Sequence, residues 1–292
     1  MKSILVTGYS GQLGFAFAEL LKSNNWNGHI ATPSRSELDW NNAASIHTYF
    51  AKNTFDIIFH AAAYTNVELA EEQEVQATFI NATSLITLAQ CIDASKTWLI
   101  YFSTDYVFDG TKNIPYTEQD TPAPLNAYGR SKLAGEGIVQ RLFPQHTIFR
   151  VSWLYGNRGK NFFLTMLSLG TTKDHLNVVH DQLGSPTFVD DLAQDIYQAI
   201  LLHFNGQCNV HGLLHYSPEG IGSWYDFAQQ IFELAEIPIN LSPVSSDDFP
   251  QKAKRPSYSK LDSILFQSKT GIVPAPWRTQ LQHCWDKKKD AQ

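Results

Sequence analysis

The 292-residue chain is poor in cysteine, with three, and holds two methionines. Cys91, Cys208 and Cys284 are odd in number, far apart and free of any C-x-x-C spacing, which excludes a disulfide scaffold and a zinc site. They read as small apolar residues or inert thiols. No apolar run approaches the length needed to span a bilayer, and Met1–Gly8 is too brief for a signal peptide, so a cytoplasmic protein with no membrane partner is expected. There is no excess of positive charge. The formal net charge is −6, which leaves no electrostatic footprint for nucleic acid. Repeats and low-complexity tracts are also missing. What remains, 43% hydrophobic and 17% charged residues, is the composition of a globular protein with a large core.

The first 150 residues alternate short apolar runs with helical patterns. Strands are predicted at Ile4–Val6, His29–Thr32, Asp56–His60, Trp98–Phe102 and Thr147–Val151. Helices are predicted at Gln12–Lys22 and Val75–Ala94 and around Tyr128–Lys132. Runs apolar on both faces, alternating with helices, predict an α/β fold with a Rossmann-like, doubly wound parallel sheet. Residues 1–150 then form a dinucleotide-binding domain. Residues 151–292 are mainly a smaller lobe, with some segments returning to the first sheet. Helices are expected there at Asn161–Leu169, Val189–Phe204 and Ser223–Ala235, the last capped by Ser223. The final quarter reads as less regular, and Lys287–Lys289 as a solvated tail.

Thr7-Gly8-Tyr9-Ser10-Gly11-Gln12-Leu13-Gly14 follows the first strand and opens the first helix. Glycines in that position allow a tight turn, close approach of a pyrophosphate, and close packing of helix on strand. A glycine-rich turn without a ligand is the plainer alternative. An acidic residue about 20 positions further on holds the ribose 2′-hydroxyl in NAD sites. Here the neighbourhood is Thr32-Pro33-Ser34-Arg35-Ser36, with no carboxylate until Glu37 and Asp39. Ser34 and Arg35 could hold a 2′-phosphate, which favours NADPH while leaving NADH open.

Tyr128 and Lys132 stand four apart, so on a helix they share a face. Alone, the pair is a half-buried tyrosine and a surface charge. Thr104 falls just past the strand Trp98–Phe102, where ligands bind in open parallel sheets. Together with the glycine loop, the three suggest a reductase. Tyr128 gives a proton to a carbonyl oxygen, Lys132 lowers the phenol's pKa and bonds the nicotinamide ribose, and Thr104 steadies the oxygen.

The G-x-x-G-x-x-G spacing resembles that of the short-chain dehydrogenase/reductase superfamily. Three stretches resemble the dTDP-4-dehydrorhamnose reductases more closely: Phe59–Val67, Ser103-Thr104-Asp105-Tyr106-Val107-Phe108-Asp109-Gly110 and Pro124–Glu136. Phe149–Gly156, Asp181-Gln182-Leu183-Gly184-Ser185-Pro186-Thr187 and Arg255–Leu261 continue the likeness in the same order, so it spans nearly the whole chain. The resemblance implies reduction of the 4-keto group of dTDP-4-dehydro-β-L-rhamnose, the closing step of dTDP-L-rhamnose synthesis. By position it puts Gly11, Gln12 and Leu13 near the cofactor pyrophosphate and Asp39 and Trp40 near the adenine. Ala63, Tyr64 and Thr65 would line the cofactor cleft. Thr104 and Asp105 would touch the sugar, Trp153 would flank it, and Arg255 would meet the substrate diphosphate.

Some members carry an acidic residue early in the first helix and bind Mg²⁺ at a dimer contact. This chain has Phe15-Ala16-Phe17-Ala18 there and Glu19 only later. No metal is therefore assigned, the aromatic rings are expected against the sheet, and monomer and homodimer both stay open. Another nucleotide-sugar reductase or epimerase, or a regulatory subunit without chemistry, are the competing functions. Retention of both Tyr128 and Lys132 weighs against the regulatory subunit.

Overall fold

Six strands form one parallel sheet in the computed structural model, which describes residues 2–290. In chain order the first five are β1 (Ile4–Thr7), β2 (Ile30–Ala31), β3 (Ile57–His60), β4 (Trp98–Thr104) and β5 (His146–Val151). Across the sheet the order is Gly212–His215, β5, β4, β3, β1, β2, with every pairing parallel. The order reverses at β1, which lies between β2 and β3, so the carboxyl ends of β1 and β3 open onto a natural crevice.

Alternate residues along each strand feed two separate cores, as a two-residue side-chain period requires. Ile4, Val6, Phe59, Ile100, Phe102 and Phe149 face one core, shared with Phe17 and the helix Val189–Phe204. Leu5, Ile58, Leu99, Tyr101 and Ile148 face the other, shared with Ile46, Leu85, Leu88, Val139 and Phe143. Each fully buried large apolar side chain contributes about 1.5–3 kcal/mol, which is why the strands read as unbroken apolar runs.

Helix α1 (Gln12–Ser23) follows β1, and α2 (Ala43–Phe50) precedes β3. The second was not foreseen, although Asn42 caps it by accepting from the Ala44 and Ser45 N–H groups, and Ile46 and Phe50 form its buried stripe. The single helix expected at 75–94 is instead α3 (Glu74–Thr78), a π turn over Phe79–Thr83, and α4 (Ser84–Cys91). Helix α5 (Ala127–Leu142) begins at Asn126, whose side chain accepts from the Gly129 N–H at 2.8 Å and donates to the Lys254 carbonyl at 2.9 Å.

The expected helices in the second half are present, and Ser223 forms a reciprocal capping box with Asp226 ahead of Trp224–Ala235. The last quarter is more regular than expected, with helices at Ile264–Thr270 and Trp277–Asp290. Lys287–Lys289, read as a solvated tail, is thus the last turn of a helix, with Lys287 and Lys289 exposed. Trp277, Gln280, Leu281 and Cys284 bury one face of that helix, and Lys287 pairs with Asp190. Phe17 does stack on the sheet, 3.8 Å from Phe59 at 5°. Phe15 instead lies outward beneath the Arg158 guanidinium, 4.1 Å from its ring centroid. No helix among the described residues is long and apolar enough to cross a membrane.

Candidate active site

A cleft of about 910 Å³ opens at the carboxyl ends of the strands. At its base Gly8 has φ +69°, and a Cβ there would sit 2.7 Å from the Ala61 carbonyl carbon. A Cβ on Gly14 would meet the Gly8 oxygen at 2.4 Å, so both positions require glycine. Gly11 caps α1 without a side-chain acceptor, and the first turn holds no acidic residue. The first-turn N–H groups and the helix dipole are therefore free to meet an anion at the cleft wall. A dinucleotide pyrophosphate fits this cradle.

Gly8, Gly11, Gln12 and Leu13 line the cleft, as do Ser34, Arg35, Asp39 and Trp40 from the segment after β2. Ala63 and Thr65 follow β3, Thr104 and Asp105 stand at the end of β4, Tyr128 and Lys132 come from α5, and Trp153 follows β5. Three sequence-predicted residues lie elsewhere. Gly14 is packed behind Gly8. Tyr64 turns its hydroxyl to Gln73 at 3.0 Å, and Arg255 is paired with Glu68 at 2.9 Å.

Beside the segment after β2, the Ser34 N–H and hydroxyl both donate to Glu37 at 2.8 Å. Arg35 lies 3.4 Å from Asp39 with its side chain 75% exposed, so its fork remains largely free. Beneath Trp40, 4.3 Å between centroids, lies His60. Burial holds that imidazole down at about 3, so it stays neutral while its Nδ1 meets the Thr7 hydroxyl at 3.1 Å.

The opposite end gathers Thr104, Asp105, Tyr128 and Lys132. The Thr104 Oγ1 accepts from the Tyr106 N–H and donates to Asp105, each at 3.1 Å. Tyr128 is half-buried at the start of α5, edge-on to Tyr106. Lys132 is 3% exposed, and its ammonium sits over the Tyr101 ring, 4.2 Å from the centroid. Crowding around the Tyr128 hydroxyl raises its pKa, the Asp105 carboxylate raises it further, and a hydrogen bond to Thr104 opposes in part. The expected lowering by Lys132 is therefore not what governs this phenol. Burial pulls Lys132 itself down to about 7, with Glu136 opposing. Glu136 is already committed to a buried bidentate pair with Arg150, at 2.9 and 2.7 Å. Asp105, 2% exposed, is pushed up to about 7 by burial despite hydrogen bonds from Ser259 and Thr104, and its Oδ2 has no partner among the described residues.

Sequence reasoning missed the groups that hold these residues in place. Asn81, in the π turn, accepts from the Tyr64 N–H at 2.8 Å and donates to the Tyr64 carbonyl and to Ser131. Its carbonyl accepts the Tyr101 hydroxyl at 2.9 Å. The cleft has a second unforeseen member in Trp224, whose indole lies on Trp153 at 3.6 Å and 6°. Neither carries a local signal, since both act across long stretches of chain.

The model of the family described as the RmlD substrate binding domain matches residues 1–289. A dTDP-4-dehydrorhamnose reductase of Aggregatibacter actinomycetemcomitans is 36% identical over 290 residues, 97% of this chain and 98% of that protein. The crystal structure of a dTDP-4-dehydrorhamnose reductase from Clostridium acetobutylicum superposes with a TM-score of 0.91 at 38% identity, covering 98% of this chain and 99% of that one. Its counterpart from Bacillus anthracis, solved in complex with NADP, has a TM-score of 0.89 at 36% identity with the same coverage of both chains. An agreement that runs the length of the chain, over a cleft whose glycine loop and Tyr128–Lys132 pair face one cavity, makes this protein a member of the dTDP-4-dehydrorhamnose reductase family.

Proposed function

We propose that this protein uses NADPH to reduce the 4-keto group of dTDP-4-dehydro-β-L-rhamnose, giving dTDP-L-rhamnose for surface polysaccharide synthesis. The observation that carries the reading is the meeting of the glycine cradle with Thr104, Tyr128 and Lys132 in one cleft. Gly8, Gly11, Gln12 and Leu13 hold the pyrophosphate of the cofactor, supported by Gly14 behind them. Ser34 and Arg35 hold the 2′-phosphate, Trp40 and Asp39 flank the adenine, and Ala63 and Thr65 line the way to the nicotinamide, with Tyr64 setting that loop. When bound, the dihydronicotinamide supplies hydride to the carbonyl carbon.

Tyr128 is the acid. A raised pKa keeps its phenol protonated throughout the working range, so the proton is present to be given to the carbonyl oxygen. Thr104 donates a hydrogen bond to that oxygen, and Lys132 stabilises the charge that develops there and bonds the nicotinamide ribose. Lys132 then acts on the transition state more than on the resting phenol. Asp105 and Trp153 hold the sugar, and Arg255 exchanges Glu68 for the substrate diphosphate. Residues 1–150 serve the cofactor and residues 151–292 mainly the sugar nucleotide. The enzyme works in the cytoplasm as a monomer or homodimer.

The test is NADPH consumption with a panel of dTDP-, UDP- and GDP-linked 4-ketosugars. Turnover confined to the dTDP sugar with a rhamnose product is expected. Preference for a UDP or GDP sugar would refute the assigned substrate, and equal use of NADH would refute the role of Arg35.

A further inference from the structure

The word Asp181–Thr187 has no part in that chemistry, yet it is built around Trp153. Trp153 leaves β5 with φ +49°, a left-handed backbone that a bulky residue adopts only where its surroundings impose it. Ser152 donates to the Ser185 carbonyl at 2.9 Å, and the Thr187 N–H donates to the Trp153 carbonyl at 3.2 Å. Leu154–Tyr155 then pairs in parallel with Thr187–Phe188. The loop is itself anchored, because Asp181 accepts from the Ser246 N–H and hydroxyl, and the Lys260 ammonium donates to Ser185 and Ser217.

Two contacts then fix the indole. A Cβ on Gly184 would lie 2.8 Å from Cε2 of Trp153, so the loop backbone rests directly on the ring. Trp224 stacks on it in parallel and donates its Nε1–H to Gln182 at 3.2 Å. Gly184 pairs with Gly222 and Leu183 with Ser223, the cap of the Trp224 helix, so loop and second indole move as one unit. Both indoles line the cleft. With one face taken by Trp224, Trp153 has at most one face left for a ligand and little freedom to turn.

We propose that Trp224, tied by Gln182 and seated with Gly184, is a positioning residue that fixes the Trp153 indole as the wall of the sugar subsite and so sets which ketosugars are accepted. The inference rests on the ketosugar-reductase reading above. A flat apolar wall accepts the C–H face of a hexose and penalises epimers that turn hydroxyls toward it, because those hydroxyls lose water without gaining a partner.

The experiment compares Trp224→Ala, Trp224→Phe and Gly184→Ala with wild type, using dTDP-4-dehydro-β-L-rhamnose and its epimer at carbons 3 and 5. For Trp224→Ala, KM should rise about tenfold while kcat stays within about threefold, and discrimination between the epimers should narrow. NADPH affinity, followed by nucleotide fluorescence, should stay at the wild-type value. Trp224→Phe should recover most of the KM, and Gly184→Ala should reproduce the KM rise by displacing the ring, which keeps the question decidable if Trp224→Ala does not fold. An unchanged KM in folded variants, or parallel losses of kcat and NADPH affinity, would overturn the proposal. Wild-type protein that turns over neither sugar would instead refute the activity reading on which it depends, a result distinct from an active wild type indifferent to Trp224.

Discussion

Lys132 and Asp105 carry ordinary charges in a nearly dry wall, and the cost of that burial is measurable. For Lys132 the folded pKa is depressed to about 7 from 10.5, so the burial cost is absent above the ordinary lysine range, grows as pH falls from there to about 7, and is complete below that. Lys132→Met should therefore raise the thermal midpoint on the order of a few degrees at pH 6, with the gain shrinking toward pH 10, while NADPH binding weakens. Differential scanning calorimetry and cofactor titration check both halves. A variant less stable than wild type at pH 6 would remove the burial argument. Asp105 has its pKa raised to about 7 from 3.8, so its ionisation costs nothing below the ordinary carboxylate range and the full amount above about 7.

Deprotonating either group makes the site more negative just where an oxygen must take up negative charge. The kcat/KM profile should therefore fall as pH rises through about 7, with apparent values that belong to the cluster. Asp105→Asn should simplify that limb while leaving the Lys132 component. A profile flat from pH 6 to 9 would contradict the assignment.

Among the elements, the π turn at Phe79–Thr83 has the clearest consequence. It turns Asn81 inward to tie the Tyr64 loop to Ser131 on α5, one residue from Lys132. Removing that side chain leaves a part-buried backbone N–H and carbonyl without their partner, which costs about 1–3 kcal/mol. Asn81→Ala should thus lower the urea midpoint by a matching amount and loosen the Tyr64 loop in hydrogen exchange. Unaltered protection at Tyr64 would argue that the loop stands without it. The same segment shows where sequence reasoning stops. An apolar stripe announced a helix near 75–94, but periodicity cannot report one extra residue in a turn, and Val75, counted into the stripe, is 87% exposed. By contrast β1, β3, β4 and β5 were legible because burial on both faces writes the same signal at every position. Helix Trp277–Asp290 escaped notice because its buried face is narrow and its end is lysine-rich.

On the scale of the whole molecule, the two cores on either side of the sheet meet the cleft through a few buried polar links. Glu136, Arg150, Ser103 and His215 form one such network beneath the end of β4. Glu136→Gln would leave the Arg150 guanidinium nearly buried and unpaired, a loss of about 3–5 kcal/mol that should appear in denaturant unfolding. The residues of the cleft were legible in outline because glycine loop, strand end and helix pair are each local words, and the sheet order alone brings them together. Their electrostatics were not legible, because burial depends on neighbours from distant segments. That is why Lys132 was expected to govern the phenol, when crowding and Asp105 do so instead.

The most direct test of the account is single-turnover reduction of dTDP-4-dehydro-β-L-rhamnose by Tyr128→Phe, with NADPH and sugar both saturating. If the Tyr128 phenol delivers the proton, the rate should drop about 10²–10⁴-fold while the affinities for both ligands stay within a few-fold of wild type. A rate close to wild type would show that the proton comes from elsewhere and would contradict the account.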